Sequence, residues 1–195
     1  MGQYRNPTAQ EIAVAGTVDK GIYRNPKLGL SVTPPDGWGL ILAEGSQDVL
    51  GKGKEIIGAG RTQTFKKQLD QSVSNTAILL QAKTSDPKAK DYRVLALGVE
   101  RVPEAVTLDK YLESSRTIIR QSPITDSIYD TVRTRMGGKE WAAFDVTSRN
   151  NGVTIKQTYF ISLVRGAAIF FILTGLEGND QKAMKDSIAT IHFDN

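Results

Sequence analysis

VTIKQTYFISLVRGAAIFFIL, residues Val153 to Leu173, decides the fold class of this 195-residue chain. In its first half Val153, Ile155, Tyr159, Ile161 and Leu163 alternate with Thr154, Lys156, Thr158 and Ser162. That period of two belongs to a strand with one face in the core. Arg165-Gly166 then offers a tight turn, and Ala167 to Leu173 runs back apolar on both faces. A central antiparallel strand loses its polar face only where something covers it, so this pair predicts a sheet with helices on both sides.

Working outward, Ser127 to Leu173 reads as a meander of four antiparallel strands. Gly137-Gly138, Asn150-Asn151-Gly152 and Arg165-Gly166 stand at its three turns, the residue types that short hairpins require. Upstream, Thr107 is a helix N-cap with Asp109 in the first turn, and Ser122-Pro123 ends the pattern. Leu108, Tyr111, Leu112, Ser115, Ile118 and Ile119 share one face of that helix and read as core. Downstream, Met184, Ile188 and Ile191 mark a closing helix from about residue 180, with His192-Phe193 trailing out of it.

Nearer the start, Thr17-Val18 and Ile22-Tyr23 are strand-like, and Leu28, Leu30 and Val32 continue a hairpin through Asn25-Pro26. Pro34-Pro35 stops that strand, read as an edge strand, and Asp36-Gly37 turns the chain so that Trp38 anchors the corner. Gly45 to Thr64, rich in glycine, predicts a loop. Thr64 to Val73 predicts a short helix, and Ala77 to Ala82 and Tyr92 to Val99 predict strands separated by the turn-rich Thr84-Ser85-Asp86-Pro87. The sum is α+β with a single antiparallel sheet. Residues 1–16 read as an N-terminal extension, trimmed behind a removed export signal, and 17–195 as one domain.

Bulk properties narrow the function classes. A net charge of +4 comes from lysines and arginines scattered among acids, without the basic stripe and interleaved aromatics of a nucleic-acid binder. No apolar run approaches the length of a membrane helix. The absence of cysteine excludes thiol catalysis and zinc–thiolate sites. His192 is the single histidine, so neither a metal cluster nor a Ser-His-Asp arrangement has its ligands or its base. Gly45 to Gly53 has the wrong glycine spacing for a phosphate loop, and Gly53 stands where a hydroxyl residue is needed. No cofactor is expected.

A resemblance adds to this reading. Tyr23, Asn25 and Pro26, Gly29 to Ser31, Pro34 to Trp38, Thr107 to Leu112, Gly138 to Trp141 and the hairpin from Tyr159 to Thr174 together resemble the PsbP-like superfamily. That superfamily contains a photosystem II extrinsic subunit, a yeast Ran-binding import factor and bacterial lipoproteins of unknown role. The resemblance implies an α/β/α sandwich and a non-catalytic accessory role, often outside the cytoplasm. It transfers no functional residue. The photosystem subunit relies on a basic N-terminal segment, whereas Met1 to Gly16 carries Arg5 as its only basic side chain.

The expected function is therefore a non-enzymatic binding or assembly module that contacts an unidentified protein partner. Its expected place is periplasmic, secreted or lipid-anchored, with a cytoplasmic one left open. The surface assigned to that contact comprises Trp38, Gly51, Lys52, Gly53, Lys54 and Trp141, on a corner and a glycine-rich segment where backbone can approach a partner. The alternative is a carrier of a small apolar molecule or lipid, with a pocket between the sheet and the helix that Thr107 opens.

Overall fold

The computed structural model describes residues 6–58, 60–84, 91–176 and 181–194. In chain order the elements are α1 (Ala9–Ala13), β1 (Thr17–Asp19), β2 (Ile22–Asn25), β3 (Leu30–Val32), β4 (Gly39–Leu42), α2 (Gln47–Gly58) and α3 (Gln63–Ser74). There follow β5 (Thr76–Lys83), β6 (Arg93–Arg101), α4 (Leu108–Arg120), β7 (Thr125–Ile128), β8 (Val132–Met136) and β9 (Lys139–Asn150). The chain closes with β10 (Val153–Val164), β11 (Ala167–Leu176), α5 (Lys182–Ala189) and β12 (His192–Phe193).

The expected single sheet is two antiparallel sheets. The main one has eight strands in the order β4-β5-β6-β11-β10-β9-β7, with β8 also on β9, and the small one runs β1-β2-β3-β12. The second sheet exists because β12 returns to β3, pairing His192 with Ser31 and Phe193 with Leu30. So β3 is not an edge strand. It ends at Pro34 because proline has no N–H to continue a ladder, and Thr33 is held instead by side chains near α5. Its N–H donates to Thr190 Oγ1 (2.8 Å), and its carbonyl accepts from Ser187 Oγ (2.6 Å).

The quoted hairpin pairs as read, from Ile155↔Leu176 to Val164↔Ala167, but Thr158 and Ser162 on the polar face of β10 are buried as well. Its turn and the Asn151-Gly152 turn each have two successive positive φ angles, 51° and 69° at Arg165-Gly166 and 47° and 79° at Asn151-Gly152. This turn shape matches the twist of the strands it joins. On β11, Ile169, Phe171 and Leu173 enter one apolar cluster while Phe170 and Ile172 enter a second. The first cluster also takes Ile12 of α1 and Met184 and Ile188 of α5; the second takes Leu112 of α4.

The first strand of the expected meander is broken into β7 and β8. Pairings Ile128↔Val146 and Val132↔Ala143 leave residues 129–131 opposite residues 144–145, one residue too many on the outer side. Such a bulge bends an edge and spoils it as a template for further strands.

Between Gly45 and Thr64 the expected loop is largely the helix α2. Glycine costs a helix about 1 kcal/mol per position, which local reading weighs heavily. Tertiary packing reverses that balance: Leu50 packs against the second apolar cluster, α2 lies against α3 and β5, and Ile57, seven residues on, lines the same cavity as Leu50. Lys54 also pairs with Asp70 of α3 at 2.7 Å. The turn read at Thr84 to Pro87 and the helix start near residue 180 lie at least partly outside the described residues; α5 is described from Lys182.

Tyr23, fully buried, has its phenol pushed up to about 12 by burial, an effect that a hydrogen bond from Asn25 partly offsets. Tyr159, stacked on Phe144 with centroids 5.1 Å apart, is pushed up to about 12 by burial as well. Both stay neutral in the fold at a pH where an unfolded tyrosine, with its ordinary value near 10, already ionises. The unfolded state then binds fewer protons, so stability falls as pH rises from about 10 to about 12. Urea melts at about pH 8 and about pH 11 should show a clear drop at the higher pH, smaller in Tyr23→Phe. Equal stabilities would contradict the burial of these phenols.

Candidate functional site

Of the residues assigned to a partner surface, Trp141 does not belong there. It has no exposed surface. Its indole N–H donates to the Met136 carbonyl (3.1 Å), and its ring lies 5.7 Å from Phe171 and 6.5 Å from Phe193. It joins the large sheet to the small one. Trp38 is half-buried against the first cluster, with the Arg93 guanidinium 5.5 Å from its ring centroid. Gly51, Lys52 and Lys54 are exposed on α2, and Gly53 lies in the same helix. The structure does not gather these six residues into one place.

What it does assemble is a groove whose residues the sequence reading did not single out as a site. The floor is the sheet, from Glu100 on β6 through Phe170 and Ile172 on β11 to Tyr159 and Ile161 on β10. Tyr111, Ser115, Ile118 and Ile119 of α4 form one wall; Leu50 and Ile57 of α2 with Leu69 and Val73 of α3 form the other. These side chains line an open apolar cavity of about 180 Å³. It adjoins a larger, more polar groove of about 700 Å³ through the shared residues Ser72, Glu100, Tyr111, Ser115 and Ile118.

Local structure explains the position of each wall. Thr107 Oγ1 accepts from the Lys110 N–H (3.3 Å) and starts α4 where the sequence predicted. Its apolar stripe is only partly core: Leu112 is buried, whereas Tyr111, Ser115, Ile118 and Ile119 line the cavity. Thr62 caps α3, which spans Gln63–Ser74 where a helix over Thr64 to Val73 was expected. On the floor, Phe170 lies across Gly98, its cross-strand partner, so closely that a Cβ there would sit 2.2 Å from the ring. The missing side chain lets the ring lie flat below the cavity.

Glu100 stands at the boundary between cavity and groove. Its carboxylate accepts from Tyr111 Oη (2.6 Å) and Ser72 Oγ (2.9 Å). Ser115 Oγ donates in turn to the Tyr111 carbonyl (2.9 Å), and Thr76 Oγ1 to that of Ser72 (2.8 Å). Burial, then the nearby charge of Glu100 and the bond to it, hold the Tyr111 phenol well above its ordinary value. Tyr111 is therefore a fixed donor rather than a base. Among the described residues that line the cavity, Glu100 is the only carboxylate. Apolar walls with one charged group suit binding and orientation of a small molecule.

No family model matches the chain, nor does any curated protein sequence. Solved structures do match. The solution structure of cyanobacterial PsbP (CyanoP) from Synechocystis sp. PCC 6803 superposes with a TM-score of 0.53 at 14% identity, over 92% of this chain and 96% of that one. The fold is PsbP-like. The crystal structure of LpqN, involved in cell envelope biogenesis of Mycobacterium tuberculosis, superposes at 0.51 and 12% identity, over 85% of this chain and 83% of the other. A Bacteroides thetaiotaomicron structure superposes at 0.51 and 10% identity, over 91% of this chain and 50% of its own length. At these identities the likeness is one of fold, and a PsbP-like fold by itself assigns no activity. Among the described residues, no helix is long and apolar enough to cross a membrane.

Proposed function

We propose that this chain is a non-enzymatic binding protein that holds a small apolar molecule beneath α4, in an α/β/α sandwich. The cavity between α4 and the sheet carries the proposal. Its volume of about 180 Å³ is of the size that admits one benzene-sized molecule when the walls are apolar. An accessory role outside the cytoplasm fits the description of LpqN, a protein of cell envelope biogenesis with the same kind of fold.

The test is a titration of methyl-labelled protein with benzene, followed by NMR. Shifts should concentrate on the methyls of Ile119, Ile161 and Ile172, which face the cavity. Ser115→Phe, which places a ring in the same space, should remove them. Shifts scattered over the surface, or none up to saturation, would overturn the reading. A second reading, assembly through a protein partner, is favoured by Tyr129 and Val132, apolar side chains 55% and 65% exposed beside the bulge between β7 and β8.

A further inference from the structure

Glu100 narrows the chemistry of that molecule; the inference rests on the cavity reading above. Among the described residues, both partners of its carboxylate are neutral hydroxyls, those of Tyr111 and Ser72. Its neighbour Arg101 directs its guanidinium elsewhere, to the Arg165 carbonyl (3.2 Å). Two neutral donors stabilise a carboxylate but leave its charge unneutralised. That charge borders a space walled by Leu50, Leu69, Val73, Ile161, Phe170 and Ile172, where water screens a field less than it does in bulk. A cation whose apolar body fills the space gains both contacts at once. A carboxylate of the same shape meets a like charge and is disfavoured.

We propose that the cavity selects a compact apolar molecule bearing a protonated amine, with the body under α4 and the ammonium on Glu100. The ammonium takes the side of the carboxylate that faces the open groove, where its remaining N–H groups keep water. Fatty acids and other apolar anions are excluded by the same charge.

Three probes of one shape test this: benzylamine, benzyl alcohol and benzoate, titrated against the whole protein near neutral pH by calorimetry and by the same methyl shifts. Benzylamine should bind about tenfold tighter than benzyl alcohol, the order expected of one charge-assisted hydrogen bond, and benzoate should bind weakest. Glu100→Gln keeps an acceptor for Tyr111 and removes the charge. It should erase the preference for the amine while leaving benzyl alcohol within about twofold. Glu113→Gln, in the open groove but not on the cavity, should leave the preference intact.

Equal binding of all three probes in the cavity would overturn the amine assignment and leave the cavity reading standing. Loss of the preference in Glu113→Gln would reduce it to diffuse surface charge and overturn it equally. No cavity shifts with any probe would overturn both.

Discussion

Replacing Trp141 by alanine lowers the stability of the fold by about 3–5 kcal/mol, the range for deleting a large buried aromatic side chain. The indole is fully buried, touches Phe171 and Phe193, and satisfies the Met136 carbonyl. Its loss opens a void and removes the hydrogen bond to that carbonyl. Nearby relief is limited: a Cβ at Gly137 would already lie 2.8 Å from the Ile191 carbonyl oxygen, so the turn and the last segment are in close contact there. For a domain of ordinary stability, about 5–15 kcal/mol, this is a fifth or more of the total. Urea denaturation of Trp141→Ala and Trp141→Phe checks it; the phenylalanine variant should recover part of the loss. A cost below about 1 kcal/mol for alanine would mean that the contact between the sheets is not tightly packed.

The second large effect is expected at Asn25. This buried side chain donates to the Ile12 carbonyl (2.8 Å) and to Tyr23 Oη (3.2 Å), and accepts from the Leu28 N–H (3.3 Å). One amide thus ties α1, β2 and the turn into β3. Asn25→Ala takes three hydrogen bonds out of the interior, each worth about 0.5–1.5 kcal/mol net, while the Ile12 carbonyl keeps the Ala15 N–H and the Leu28 N–H keeps the backbone carbonyl of residue 25. A loss of about 2–4 kcal/mol follows, with α1 exchanging its amide hydrogens faster than β10 or β11. Tyr23→Phe removes one member of the set, so its effect and that of Asn25→Ala should not add. Gly16 belongs to the same arrangement: a Cβ there would lie 2.1 Å from the Tyr23 hydroxyl. Strict additivity would show that the amide and the phenol act independently.

The parts of the fold legible in the sequence are those with local causes. Positive-φ turns at Asn151-Gly152 and Arg165-Gly166, the Thr107 cap and the period of β10 each depend on a few adjacent residues. What escaped depends on distant ones. β12 is two residues long and is a strand only because β3 lies beside it. The break between β7 and β8 is a mismatch of count against β9, invisible without the register. In α2 the glycines argued for a loop, and partners on the sheet and α3 overrode them.

The candidate site was legible only in outline. A pocket between the sheet and the Thr107 helix was foreseen, but its charged residue was not. Glu100 follows the apolar run Leu95 to Val99, where a carboxylate usually marks only the end of a strand. Nothing local says that Tyr111 and Ser72 converge on it from two helices. Trp141 illustrates the reverse error. Indoles mark partner surfaces and cores alike, and the decision lies in which strand face the residue occupies.

The union of β3 with β12 bears on when the protein can finish folding. Thr33 and Thr190 are joined across 157 positions of chain. Contacts of that reach are costly in entropy to close and tend to form late. During synthesis, most strands of the main sheet are available before the second sheet can close. Until Phe193 has left the ribosome, β3 has an open side and Trp141 lacks one of its aromatic neighbours. The second sheet therefore stays unsealed until residues 192 and 193 have been made, long after the three strands they complete.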